Sequence, residues 1–366
     1  MPISALVVLV YSLPAAFLVL FGANTLRKLA IDLRERKNAV TRKAIKGRIE
    51  EFLNRPEGEF HEAMLNFTEQ ALHRGSNYRA LMDAYLLNTL ELSTTVHRDR
   101  LVTIAEEMLF PSECIAQIKS KNLEVSAQGS RRAGLYNVKE AVGDMLAVLD
   151  NLYSENQFAV LMALARIGNS EAMQLAFEKI KTSIIINEQA AIEILSSFPD
   201  NEDKRKLFKE MIHSDANYIA ELFLKAAGKE MATALVDDMK IVLHNGSKGV
   251  RAAAARGLAS LGENAPLEDL LLALEDSDWE VRALAAKALG AVATPKASAA
   301  LFKALSDQQW WVRQNAARAM LGHPGYETMF MLAAEIGDEY TRDSILSVLE
   351  DGGNPLLLRY IKIMAA

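Results

Sequence analysis

The sequence predicts an all-α protein: an α-solenoid of helical hairpins, preceded by one transmembrane helix and an amphipathic stalk. Three observations carry this. An uncharged apolar run opens the 366-residue chain, a basic stretch with three-and-four apolar spacing follows it, and a Val-Arg pair recurs twice at a 31-residue interval further on. Four segments result. Residues 1–24 are the transmembrane helix and 25–55 the basic juxtamembrane stalk. Residues 56–140 are a helical stretch of degenerate repeats, and 141–366 carry the clearer repeats.

The transmembrane segment is Ile3 to Ala23, without a charged residue. At about 1.5 Å per residue such a helix is about 30 Å long, the thickness of a bilayer core. Pro14 falls within it, which a membrane helix tolerates. The competing reading is a cleaved signal peptide, cut after Phe21-Gly22-Ala23. That reading calls for a basic segment ahead of the apolar run, and the sequence has none.

Of the 41 Lys/Arg and 47 Asp/Glu, nine and two fall between Arg27 and Arg48, a local charge of +7. The remaining 32 and 45 give residues 49–366 a net −13. Lys/Arg beside a span stay cytoplasmic, so the amino terminus is expected outside, the body in the cytoplasm and the chain in the inner cell membrane. Basic residues 27–48 are also expected to meet anionic headgroups, so the lipid bilayer is one partner, through them and through residues 3–23. Leu26, Leu29, Leu33, Val40, Ile45, Ile49, Phe52 and Leu53 follow helical spacing, and Asn54-Arg55-Pro56-Glu57-Gly58 ends that helix.

Composition narrows the function classes. Half the residues are hydrophobic and 24% charged, which excludes a wholly disordered chain. One cysteine, Cys114, excludes an internal disulfide. The acidic body argues against nucleic acid as a partner, because phosphate binding draws on Lys/Arg.

Within the repeats, Val250-Arg251, Val281-Arg282 and Val312-Arg313 open three alanine-rich helices. Apolar runs from Leu267 to Leu274 and from Ala299 to Leu305 precede the second and third, each followed by an acidic turn. Val250, Ala254, Leu258 and Leu261 share a face, as do Val281, Ala285, Leu289 and Val292. One hairpin alone cannot bury such a face, so it stacks on its neighbours. Asp278 stands at an N-cap position.

From Asp278 to Leu289 the sequence reads Asp-x-x-Val-Arg-x-x-Ala-Ala-x-Ala-Leu. This pattern resembles HEAT repeats, especially the short kind of phycobilisome-lyase-like proteins, and is clearest over 240–323. Gln157 to Gly168, Glu188 to Ser196, Ile219 to Gly228 and Thr341 to Leu349 carry fainter copies. The resemblance implies a structural ladder in which Arg251, Arg282 and Arg313 pair with turn aspartates such as Asp276 and Asp307, beside Asp278. It also implies an interaction scaffold, an accessory subunit of a membrane assembly, with a membrane glycosyltransferase the first partner class. The alternative from the lyase-like relatives is a protein handling a phycobilin or another small molecule; nucleic-acid binding ranks below both.

No catalytic residue, cofactor or metal site is expected. His61, His73, His97, His213, His244 and His323 lie at no metal-motif spacing and read as surface or turn residues. Gly246-Ser247-Lys248-Gly249 lacks the glycine spacing and preceding strand of a phosphate loop. Asp237 and Asp238 are neighbours on a helix and point apart. The candidate partner-binding residues are Trp279, Trp310 and Trp311, at two successive repeat turns, and Arg256, Lys287 and Arg318, which share one repeat position. Packing between repeats is the other role open to the indoles, and a solvated face the other role open to the cations.

Overall fold

The structure is a computed structural model and describes residues 3–92, 97–149, 154–180, 188–230 and 232–364, with side chains from residue 20 onward except at 154, 155, 180 and 188. Its described residues are helices and turns, with no strand among them. The chain divides into two compact units, Met1–Asp144 and Met145–Ala366.

In the first unit, α1 (Ile3–Leu53) is one uninterrupted helix of 51 residues. It stops where Pro56 removes a backbone donor, and Asn54 and Arg55 close the turn. Ile45, Ile49, Phe52 and Leu53 are buried on one side of its C-terminal third. Against it fold α2 (Glu57–Leu72) and α3 (Ser76–Leu92). α4 (Arg98–Glu107), α5 (Phe110–Ile118) and α6 (Leu123–Leu135) complete the unit. Arg100 on α4 donates to the carbonyls of Leu53 at 2.9 Å and Arg55 at 2.7 Å. These acceptors lie at a helix end that leaves carbonyls unsatisfied. Gly129 on α6 lets that helix touch the α5 backbone; a Cβ there would stand 2.8 Å from the Ile118 nitrogen.

Between α3 and α6 lies a part-buried polar lock. Arg132 Nη2 and the Tyr136 hydroxyl both donate to Asp83 Oδ1, at 2.8 and 2.6 Å. Burial, with the Asp83 carboxylate beside it, pushes the Tyr136 hydroxyl above its ordinary range. Cys114 is fully buried next to this lock, and burial pushes its thiol up to about 12.

Among the described residues no helix is long and apolar enough to cross a membrane. The expected transmembrane segment, Ile3 to Ala23, lies for most of its length outside the described side chains; its backbone is part of α1.

After α7 (Val142–Leu149), the second unit stacks its helices in two files. One holds α8 (Ser154–Ile167), α10 (Glu188–Ser196), α12 (Asn217–Glu230), α14 (Lys248–Ala259), α16 (Trp279–Leu289), α18 (Trp310–Met320) and α20 (Glu339–Asp351). The other holds α9 (Ser170–Ile180), α11 (Glu202–Ile212), α13 (Val236–Asn245), α15 (Leu267–Ala273) and α17 (Pro295–Ala304). α19 (Tyr326–Ile336) and α21 (Leu357–Met364) pack together near the C-terminal end. This is a solenoid-like, all-α arrangement: each helix packs on its predecessor and successor in its file, and hairpins join the files.

The 31-residue period explains the first file. Val250, Val281 and Val312 are buried, and Ala254, Ala285 and Ala316 are at 0% exposure. Ile219, Phe223 and Ala227 on α12 occupy the same register one repeat earlier and are buried too. Small residues set the separations: a Cβ at Gly228 would stand 2.7 Å from the Gly257 Cα, so α12 and α14 nearly touch.

Candidate partner-binding site

Each ladder arginine stands at the start of a first-file helix, and Arg251 and Arg282 each reach two turns. Arg251 donates to both Asp276 oxygens at 2.8 Å and to Asp278 Oδ2 at 2.7 Å, while its Nη1 bonds the Gly246 carbonyl in its own turn. Arg282 repeats this on Asp307 and on the carbonyls of Asp276 and Ser277. Burial opposes the charge on Asp276 and Asp307, but the bonds from Arg251 and Arg282 outweigh it and hold both carboxyls below the ordinary aspartate range.

Two expectations need correction. Arg313 pairs with no aspartate carboxylate: it donates to the Asp307 and Gln308 carbonyls and to Ser344 Oγ, and lies over the Tyr340 ring. The aspartate one repeat on, Asp338, accepts instead from the Thr341 amide as an N-cap. Asp278 holds the N-cap position of α16 without a side-chain cap bond, because its carboxylate is engaged by Arg251.

On the first file, α12, α14, α16 and α18 line a groove of about 390 Å³. The repeat register builds it. Gly249, Glu280 and Trp311 occupy one position on successive helices, and Ala253, Leu284 and Asn315 another. Where α14 carries glycine and Ala252 and Ala253, the floor drops; where α18 carries Trp311, a wall rises. A Cβ at Gly249 would meet the Glu221 carboxylate, so a side chain there would require Glu221 to swing aside from the groove. Trp279 and Arg256 also line the groove, with Lys225 and Ala283. Its charged residues are Glu221, Glu280, Lys225 and Arg256, two of each sign.

The structure brings together three of the six candidates: Trp279, Trp311 and Arg256. Trp310 stands outside, edge-on to Trp311 with ring centroids 4.5 Å apart; the two are 46% and 56% exposed. Lys287 is exposed without lining the groove, and Arg318 pairs with Asp351 at 3.1 Å. The equal repeat position of the three cations therefore does not make one docking strip.

Histidine pairs went unread in the sequence. His213 meets Asp238 at 3.0 Å and His244 meets Asp269 at 2.9 Å, joining successive second-file helices. The signal was available: both histidines and both aspartates are 31 residues apart. His323 is not a surface residue; it is buried between Ser298 Oγ and the Leu289 carbonyl. Among the described residues no group of His, Cys, Asp or Glu could hold a metal ion.

Residues 236–322 match the family of HEAT repeats. These residues contain the Arg251 and Arg282 rungs and most of the groove. No curated protein matches the chain. Among solved structures, the chain is similar to an engineered protein, at 16% identity and a TM-score of 0.36, covering 83% of this chain and 99% of that one. It is similar to the complex of CpcE and CpcF of phycocyanin lyase from Nostoc sp. PCC7120, at 16% identity and TM-score 0.28, covering 70% and 93%. It is also similar to Kap121p, at 14% identity and TM-score 0.33, covering 88% of this chain and 48% of that one. None of these likenesses bears on what the HEAT segment binds.

Proposed function

We propose that this chain is a membrane-tethered scaffold that holds a protein partner in the groove on α12, α14, α16 and α18. The observation that carries the reading is Trp311, 56% exposed on a groove that it shares with Trp279. A large indole kept in solvent costs apolar hydration, and such residues are enriched among the anchors of protein interfaces. Balanced charges around a floor of glycine and alanine suit a polypeptide segment that inserts an apolar side chain between charged neighbours.

The tether is the uncharged run Ile3 to Ala23, followed by the basic residues of α1, with the body on the cytoplasmic side. Anchoring raises the effective concentration of any partner in the same membrane. An accessory role beside a membrane glycosyltransferase, or in another membrane assembly, is the partner class to test first.

The test is affinity capture from detergent-solubilised membranes with the whole chain and with Trp311→Ala. The reading expects a membrane protein recovered with the parent and strongly reduced with the variant. Recovery of no membrane protein, or equal recovery by both, contradicts it.

A further inference from the structure

Helix α1 has two opposed faces. Asn38, Ile45, Ile49 and Phe52 are buried in the first unit. With 3.6 residues per turn, Leu26, Leu29, Leu33 and Val40 fall on the opposite side. They are 69%, 55%, 57% and 72% exposed. Their spacing alternates three and four, so 26, 33 and 40 take the a positions of a heptad and 29 a d position. The packing of the first unit leaves this stripe uncovered.

The charges beside the stripe say what fits on it. Asp32 takes a g position and Lys37 the e position of the next heptad. In a parallel pair of identical helices, each g residue faces the following e residue of the other helix. Asp32 of each copy would then meet Lys37 of the other, twice by symmetry. An antiparallel pair would not make this match. Arg36 takes the remaining d position; its methylenes cover the seam while its guanidinium reaches water, which limits the affinity.

We propose that α1 pairs in parallel with α1 of a second copy of this chain, along a seam of Leu26, Leu29, Leu33 and Val40. The seam is about 20 Å long, too short to hold two helices together at high dilution. Tethering in one bilayer supplies the missing local concentration. The pairing does not depend on the groove, so its failure leaves the partner-binding reading untouched.

The test uses the whole chain in lipid vesicles with a single added cysteine and a mild oxidant; native Cys114 is buried and does not compete. Leu33→Cys, on the seam, is expected to form a disulfide-linked dimer several-fold more than Ile31→Cys, on the far side of the same helix. Equal dimer from both, or none from Leu33→Cys, overturns the proposal. As a second arm, Asp32→Lys added to Leu33→Cys is expected to reduce the dimer, and Lys37→Asp added to that variant to restore it. Dimer that stays low with both swaps overturns the parallel register. Helicity by circular dichroism confirms that each variant is folded.

Discussion

Arg282 holds Asp307 across the boundary between two hairpins. Its Nε and Nη2 donate to the two carboxylate oxygens at 2.8 and 3.0 Å, and its Nη1 returns to the carbonyls of its own turn. Both side chains are largely withdrawn from water, at 16% and 13% exposure. One residue therefore closes a turn and fixes the next hairpin's position, a division of labour suited to the planar fork of arginine and unsuited to lysine.

Removing Arg282 should cost more than removing a surface pair. Arg282→Ala leaves Asp307 part-buried without its cation and is expected to lower stability by about 2 kcal/mol. Lys296→Ala breaks the exposed pair with Glu268 and should change the unfolding midpoint little. Denaturant unfolding of the two variants beside the parent checks the contrast.

Strong acid should loosen the ladder. Asp276 and Asp307 have folded-state pKa values below the ordinary 3.8, so their stabilisation is fully present above that value and is lost as pH falls through the lower folded values. Thermal unfolding should be insensitive to these groups from pH 7 to 5 and weaken below about pH 4. In Asp307→Asn the acid-dependent loss should be smaller.

Close helix contacts predict opposite outcomes for two glycines. Gly228→Ala sets a Cβ 2.7 Å from the Gly257 Cα, a backbone atom that cannot swing aside, and should destabilise by about 1–3 kcal/mol despite better helix propensity. Gly47→Ala meets nothing within 4 Å and should stabilise by about 0.5–1 kcal/mol. Thermal melts read both signs.

Cys114 should report on opening of the first unit. Its thiol is fully buried and pushed up to about 12, so it stays protonated and covered at pH 8. Alkylation is expected to be slow in the native protein and fast in denaturant; equal rates would contradict the packing of α5 against α6.

The repeat was legible wherever the period of 31 was kept. Val250, Val281 and Val312 could be placed in the core by spacing alone, and the resemblance to HEAT repeats implied the two rungs at Arg251 and Arg282. Arg313 was not legible, because Asp338 could serve either the ladder or its own helix and the Thr341 amide lies closer at hand. The His213 and His244 pairs went unread although the period of 31 carries them: their aspartates lie 25 residues away on another helix, the same separation as in the Arg251 and Arg282 rungs. In the first unit no period helps, so the lock of Arg132 and Tyr136 on Asp83 emerges only when α3 and α6 meet. The groove escaped sequence reading because its depth comes from what Gly249 lacks. Tryptophans at repeat turns pointed to the neighbourhood of the groove, but not to Trp311 on its lining and Trp310 off it.

The groove itself is tested most directly by a photo-reactive residue placed at Leu284, on its lining, and at Leu272, 62% exposed on α15 in the other file. After irradiation of intact membranes, the account predicts a covalent adduct with a membrane protein from position 284 and little or none from 272. Adducts from 272 alone, or equally from both, would contradict it.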